Sequence, residues 1–278
     1  MSRLLLLLAC LCLALPLRAE TFIQRLLDRP VPGGVAVIDL GEAAAAPRAS
    51  YRDRPVMVLR DGQRWIAVVG IPLGTAAGAQ SLQVQAQGQT RRVDFEVGTK
   101  RYVEQHIKLA NQRQVNPNPD DLKRIERELA EQVAAYRRFT PGTPSNVFLD
   151  RPVDGGRLSS PFGLQRFFNG EPRNPHSGLD FAVPAGTPVK APAAGRVVLV
   201  GDYFFNGKTV FVDHGQGMVS MFCHLSAIDV KVGDEVPRGG LLGKVGATGR
   251  ATGPHLHWNV SLNDVRVDPA IFIDAFKP

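Results

Sequence analysis

From about Val147 onward the chain turns rich in glycine, proline and valine, and its apolar runs shrink to short β-stretches. The segments "GTPVKAPAAGRVVLVG" and "VGDEVPRGGLLGKVG" show the pattern twice. Glycine inside a strand pattern marks a bulge or a sharp reversal, so such a segment closes into a compact barrel or sandwich. The expected fold class is mainly β, with an antiparallel β-sandwich or barrel-like domain over residues 147–278.

Two segments precede it. From Thr21 to about Gly98, short apolar runs are broken by turn residues, and Asp61-Gly62 and Gln87-Gly88 sit between them as hairpin turns should. This predicts a small Ig-like β-sandwich domain over 20–99. Residues 100–146 read as a helical connector and linker, because "KRYVEQHIKLANQRQ" and "PDDLKRIERELAEQVAAYRRF" are charged and helical in period. Leu122, Ile125, Leu129, Val133 and Tyr136 recur at spacings of three and four along one stripe of the second helix. Asn118 is placed to cap it, Pro119 suits its first turn, and Asp120 and Asp121 suit its positive end. "TPGTPSN" then breaks the helix.

The first nineteen residues, "MSRLLLLLACLCLALPLRA", carry an arginine near the start, an apolar run from Leu4 to Leu17, and Ala19. They read as a secretory signal peptide over 1–19, cleaved after Ala19. The apolar run is shorter than the ~20 residues a spanning helix needs, so no stable membrane span is expected after cleavage. A lipoprotein cleavage site in "LLAC", ending at Cys10, is the alternative. Cleavage after Ala19 removes Cys10 and Cys12 and leaves Cys223 alone, so the exported chain has no internal disulfide. It also removes Arg3 and Arg18, which takes the formal net charge from +7 to +5. That mild basicity suits an anionic surface, and no nucleic-acid motif accompanies it.

Chemistry concentrates after Val147, where five of the six histidines lie. "HSGLDF" sets His176 and Asp180 four apart, on one face of a strand and roughly so on a helix. "PHLHW" sets His255 and His257 two apart, on one face of a strand. Two histidines and a carboxylate, with a fourth position left for water, compose a catalytic zinc site, and "MFCHLS" adds His224. Singly, each reads as a satisfied polar residue; jointly, that reading needs a separate coincidence for each. His214 in "VDHG" reads as structural, and His106 as a surface or packing residue. Cys223 alternates with His224 on a strand, so it is expected to face the opposite side as a buried apolar residue. Asn206-Gly207 reads as a type I′ turn, with Phe204 and Phe205 lining a groove or packing in the core. Lipoyl- and biotin-carrier domains share the glycine-punctuated texture, but Lys190 and Lys244 lack the acidic or methionine flanks of a modified lysine.

"SSPFG" (159–163), "HSGLDFAVPAGTPVKAPAAGRV" (176–197), "DHGQGMVSMFCHLS" (213–226) and "GATGRATGPHLHWNV" (246–260) together resemble the lysostaphin-type zinc metallopeptidases, enzymes that cut peptide cross-bridges in bacterial peptidoglycan. The resemblance covers about Leu158 to Pro269. The amino-terminal β-segment is similar, more loosely, to a region that precedes this domain in some Gram-negative members. The resemblance implies that His176 and Asp180, the ends of the HxxxD motif, and His257, the second histidine of HxH, bind one Zn2+ per catalytic domain. It implies that His255 works on the water or the developing oxyanion, with His224 as its catalytic partner. No "HExxH" is present to offer a glutamate base, so one of the two histidines is the base. We take His255 as base and His224 as oxyanion stabiliser.

The activity so implied is that of an exported zinc metalloendopeptidase acting on peptidoglycan stem peptides. It would work as a monomer, in a Gram-negative periplasm or secreted, on direct D-Ala to diaminopimelate cross-links. The alternative is a non-catalytic peptidoglycan-binding regulator of other wall hydrolases, against which the intactness of all five positions argues. Some members of the family are held latent by upstream segments, so the amino-terminal region is expected to cover or position the site.

Overall fold

The computed structural model describes residues 20–277, and the signal-peptide reading lies outside them. No helix among the described residues is long and apolar enough to cross a membrane. Helix α1 (Phe22–Leu27), capped by Thr21, leads into β1 (Val35–Gly41), β2 (Arg48–Tyr51), β3 (Arg54–Pro55), β4 (Met57–Asp61), β5 (Arg64–Gly70), β6 (Gly78–Ala86) and β7 (Gln89–Val97). These strands form two antiparallel sheets, ordered β1-β5-β4 and β3-β2-β6-β7, that close over Ile38, Tyr51, Val69, Leu82 and Val84. Gln87 and Gly88 form the β6–β7 turn with both residues at positive φ, as a type I′ turn requires. The runs "VAVIDL" and "WIAVVG" lack strand alternation because the β1-β5-β4 sheet is buried on both faces. Ile38 and Val69 face the sandwich, whereas Val37, Met57 and Val68 join a second core with Leu149, Leu262 and Phe272.

The connector departs from expectation in two ways. Its first segment is not helical: Glu104–Ile107 form strand β8, followed by a 3-10 turn at Gln112–Gln114. β8 pairs in parallel with β10, introduced below, and His106 stacks on Phe167 at 4.7 Å. A short charged helix with no partner is marginal, so a ladder that supplies backbone hydrogen bonds wins. The second helix, α2 (Pro119–Tyr136), forms as read, and Asn118 and Asp121 close a reciprocal capping box. Its buried face differs, however. Leu122 and Leu129 are 54% and 57% exposed, while Asp121, Glu128, Ala135 and Tyr136 are buried. Polar bonds set this rotation: Asp121 pairs with Arg113, and Glu128 accepts from Arg124 and from the Phe204 amide.

The remainder comprises β9 (Arg157–Ser160), β10 (Gln165–Phe168), β11 (Glu171–Pro172), β12 (Leu179–Ala182), β13 (Pro188–Lys190), β14 (Gly195–Tyr203), β15 (Gly207–Gly215), β16 (Met218–Ile228), β17 (Glu235–Val236), β18 (Leu241–Val245), β19 (Leu256–Leu262) and β20 (Val265–Val267). Ten of these make one antiparallel sheet with the main path β17-β14-β15-β16-β19-β12-β9, and α2 packs on β14. Phe181, Phe222, Leu256 and Trp258 fill its core. Tyr203 pairs with Gly207, so the β14–β15 connection has three residues and only Gly207 takes a positive φ; the hairpin stands but the type I′ turn does not. The extra residue brings the Asn206 carbonyl to the His224 amide at 2.9 Å.

Asn263, at the tip of the β19–β20 turn, ties the sandwich to the large sheet. Its Oδ1 accepts from the Gly70 amide at 2.7 Å and its Nδ2 donates to the Gly70 carbonyl at 3.1 Å, both buried. Asn263→Gly keeps the left-handed turn but orphans both Gly70 groups. It is expected to cost about 1–3 kcal/mol, read as a lower denaturant midpoint; an unchanged midpoint would show that the contact carries no stability.

Candidate metal centre

Asp180 on β12 lies directly opposite His257 on β19, and His257 lies opposite Cys223 on β16. Opposed residues of an antiparallel ladder share a face, so Asp180, His257 and Cys223 point the same way. His176 enters from the extended segment before β12. It is held there by its amide on the Leu164 carbonyl and its carbonyl on the Gly163 amide, each at 2.8 Å. His176 Nε2, Asp180 Oδ1 and His257 Nδ1 converge, with mutual distances of 3.0, 2.9 and 2.8 Å, and all three residues are buried.

Hydrogen bonding decides what these atoms offer. The Pro161 carbonyl, 2.8 Å from His176 Nδ1, can only accept, so Nδ1 carries the hydrogen and Nε2 turns a lone pair to the cluster. Burial, reinforced by His257 and Arg166, lowers the His176 pKa to about 4, which keeps the ring neutral at pH 7. Burial alone would raise the Asp180 carboxyl, but His176 and His257 outweigh it and hold the group well below the usual carboxylate range. His176 Nε2 and Asp180 Oδ1 therefore face one another as two acceptors across 3.0 Å. A proton on His257 Nδ1 serves that nitrogen's own two contacts and leaves this one unrelieved. A divalent cation relieves all three, and two imidazoles with one carboxylate are donors such a cation takes, so the residues fit a metal.

His224 reaches this face by a bulge. Strict alternation from Cys223 would turn it into the core. The β15–β16 register instead slips, with Lys208 opposite Leu225 and Val210 opposite Phe222, and His224 adopts φ 61. Left-handed backbone at a bulky residue costs of order 1–3 kcal/mol and is retained where the surroundings enforce it. The bulge brings the His224 ring to 4.7 Å from His255 and 6.0 Å from His257. His224 Nδ1 donates to the Thr248 carbonyl and His255 Nδ1 to the Gly253 carbonyl, each at 2.8 Å. Both rings thus hold Nε2 free as an acceptor. Burial first, then His255 and His257, lower the His224 pKa to about 3. Cys223 is fully buried beside Tyr136, Phe211 and Met221, and burial pushes its thiol up, so it packs rather than reacts. His214 spans the Ala194 carbonyl and the Ser220 hydroxyl, each at 2.9 Å, as a tether between chain segments.

Several site residues have no signal in the sequence. Arg166 on β10 donates to Asp180 Oδ2 at 3.3 Å and to Gln105 Oε1 of the connector at 3.1 Å, so the second carboxylate oxygen is also engaged. Asn259, two residues beyond His257, donates to the Tyr136 hydroxyl and to Ser177 Oγ, each at 3.1 Å. This bond locks the last turn of α2 to the metal-facing layer. The cleft above the cluster measures about 350 Å³, with Ile125, Glu128 and Leu129 of α2 as one wall and Phe205 and Arg250 on its lining.

The fold and the buried His-Asp-His cluster are those of a metallopeptidase domain, and comparison with known proteins agrees. Residues 174–269 match the model of peptidase family M23, and residues 28–100 match that of the peptidase family M23 N-terminal domain. The crystal structure of a Pseudomonas aeruginosa protein assigned to peptidase M23 is 66% identical, with a TM-score of 0.80, over 92% of this chain and 100% of that one. The chain belongs to peptidase family M23. The DD-carboxypeptidase/endopeptidase Mpg of Neisseria meningitidis serogroup B is 40% identical over 118 residues, 42% of this chain and 27% of that protein. The peptidoglycan DD-endopeptidase ShyA of Vibrio cholerae serotype O1 is 43% identical over 116 residues, 41% of this chain and 27% of that protein. The matched stretch thus spans about a quarter of the length of these two relatives.

Gly178 sits where the cluster is tightest. A Cβ there would stand 2.5 Å from the Trp258 carbonyl, 2.2 Å from Asn259 Oδ1 and 2.8 Å from His257 Cε1. Gly178→Ala is expected to destabilise the protein by about 1–3 kcal/mol in thermal or denaturant unfolding. Gly253→Ala, where a Cβ meets nothing within 4 Å, should be silent. Equal effects of the two would contradict the packing described.

Proposed function

We propose that this protein is an exported zinc endopeptidase hydrolysing the peptide cross-links of bacterial peptidoglycan. The observation that carries the proposal is the buried His176–Asp180–His257 cluster, with the His224–His255 pair over it, in a chain of peptidase family M23. The name of ShyA points to peptidoglycan as the substrate, and from that substrate we infer the cell envelope as the place of action. The periplasm is the compartment we assign. Within the chain, we assign 20–99 to an amino-terminal β-domain, 100–146 to the connector and 147–278 to the catalytic domain.

His176, Asp180 and His257 would hold the zinc, which when bound lowers the pKa of a water and polarises the scissile carbonyl. Arg166 orients Asp180 from its far oxygen. His255, the less buried of the paired rings, accepts the proton of the attacking water at Nε2 and passes it to the departing amine. His224 faces the developing oxyanion. That negative charge raises the affinity of Nε2 for a proton, and a proton taken up there from solvent turns the acceptor into a donor. A regulator that only binds the wall would have no use for this arrangement.

The purified protein is expected to release peptides from isolated sacculi, to stop in chelator and to resume with added zinc. Intact sacculi with zinc bound would contradict the enzymatic reading. The two histidines of the HxH motif should separate cleanly. His257→Ala should lose metal, measured as zinc per chain, together with activity. His255→Ala should keep metal while turnover falls about 10²–10⁴-fold. Equal loss of zinc in both variants would refute the division of roles.

A further inference from the structure

Arg250 lines the cleft as a cation with no ion-pair partner among the described residues. It follows the tight turn at Gly249 in the β18–β19 connection, and its guanidinium lies between the rings of Phe168 and Phe205, 4.5 and 4.1 Å from their centroids. Its only side-chain hydrogen bond among the described residues runs from Nη1 to the Gln114 carbonyl at 3.3 Å. No described carboxylate makes an ion pair with it: the Asp180 carboxylate is taken by Arg166, and Glu128, the acid lining this cleft, by Arg124. Burial, and next the like charges of Arg166 and Arg173, bring Arg250 down to about 10, so it remains cationic at neutral pH. Two aromatic faces recover part of the cost of holding such a charge. Beyond the bond to Gln114, its side-chain N–H donors make no hydrogen bond among the described residues, which leaves them for a partner. A planar fork of donors matches a carboxylate.

We propose that Arg250 is a substrate-binding residue that receives the free carboxylate carried by the amine side of the scissile bond. The inference rests on the reading of the site as a cross-link endopeptidase, and it narrows the substrate class. Each amino group of diaminopimelate is attached to a carbon that also bears a carboxyl. Where such an amine is acylated by D-alanine, the amide to be cut has a carboxylate one carbon away on the leaving side. An amide inside a glycine bridge has none. Arg250 lines the same cleft as His176, His224 and His257, so an anion it holds lies in the cleft that contains the cluster. Arg250 thereby selects cross-links whose amine is α to a carboxylate.

A matched pair of cross-linked peptides tests this, one with the free carboxylate beside the scissile amide and one with the carboxamide. With the whole zinc-loaded protein, kcat/KM on the carboxylate form should be about 10- to 100-fold higher, the value of a charge-assisted contact. Arg250→Ala should bring the ratio to about one, mainly through the carboxylate form, and Arg250→Lys should retain part of it. A purely structural role, tying Gln114 to the turn, lowers both substrates together and leaves the ratio intact. Because the ratio is taken within each variant, loss of folded protein cancels. Retention of the ratio in Arg250→Ala, or cleavage of both peptides within twofold by the wild type, overturns the assignment and leaves the endopeptidase reading standing. Failure of the zinc-loaded wild type to cut either peptide overturns that reading and this inference with it.

Discussion

The Asp180 carboxylate is buried inside an antiparallel ladder, and much of the polar interior of the catalytic unit answers to it. A buried carboxylate left alone would take up a proton or unfold its surroundings. Here one oxygen faces His176 and His257 and the other faces Arg166. The ladder position fixes which residue stands opposite, so a single register places Asp180 against His257. A slip by one residue would exchange this polar face for Phe181 and Trp258, which fill the core.

The same constraint explains the upper layer. His257, Asn259 and Ser261 alternate with Leu256, Trp258, Val260 and Leu262, and all seven are buried. The apolar set packs in the core; the polar set needs a cover that can bond to it. Tyr136 of α2 provides that cover through Asn259, and Glu128 and Gln132 bind the β14–β15 loop. The connector is thus part of the cleft wall in this structure, and its Leu129 stands at the rim. The double-sided burial of the β1-β5-β4 sheet, with Asn263 on Gly70, joins the sandwich to the same body.

Much of this was legible in the chain. The period of two in "HLHW" puts His255 and His257 on one face, and "HSGLD" brings His176 to Asp180; the cap at Asn118 and the turn at Gln87-Gly88 are local chemistry that tertiary contacts did not override. What escaped was whatever depended on a distant partner. Residues 100–114 carry a helical charge pattern, yet β10 recruits Glu104–Ile107 into a ladder. The stripe from Leu122 to Tyr136 has the right spacing, but salt bridges and a loop amide rotate Leu122 and Leu129 outward. Alternation gave Cys223 and His224 opposite faces without showing that Cys223 holds the site face and that His224 reaches it only through a bulge. Arg166 and Arg250 sit in unremarkable sequence, and their meaning lies in what surrounds them.

One cation would satisfy three buried ligand atoms, two of which, His176 Nε2 and Asp180 Oδ1, otherwise face each other as acceptors. Anomalous scattering from crystals grown with zinc, recorded above and below the zinc edge, tests it most directly. A single strong peak is expected, bonded to His176 Nε2, Asp180 Oδ1 and His257 Nδ1, with His224 and His255 beside it and unbonded. A zinc-saturated protein whose peak lies elsewhere, with Asp180 and His257 still in direct hydrogen-bonded contact, would contradict it.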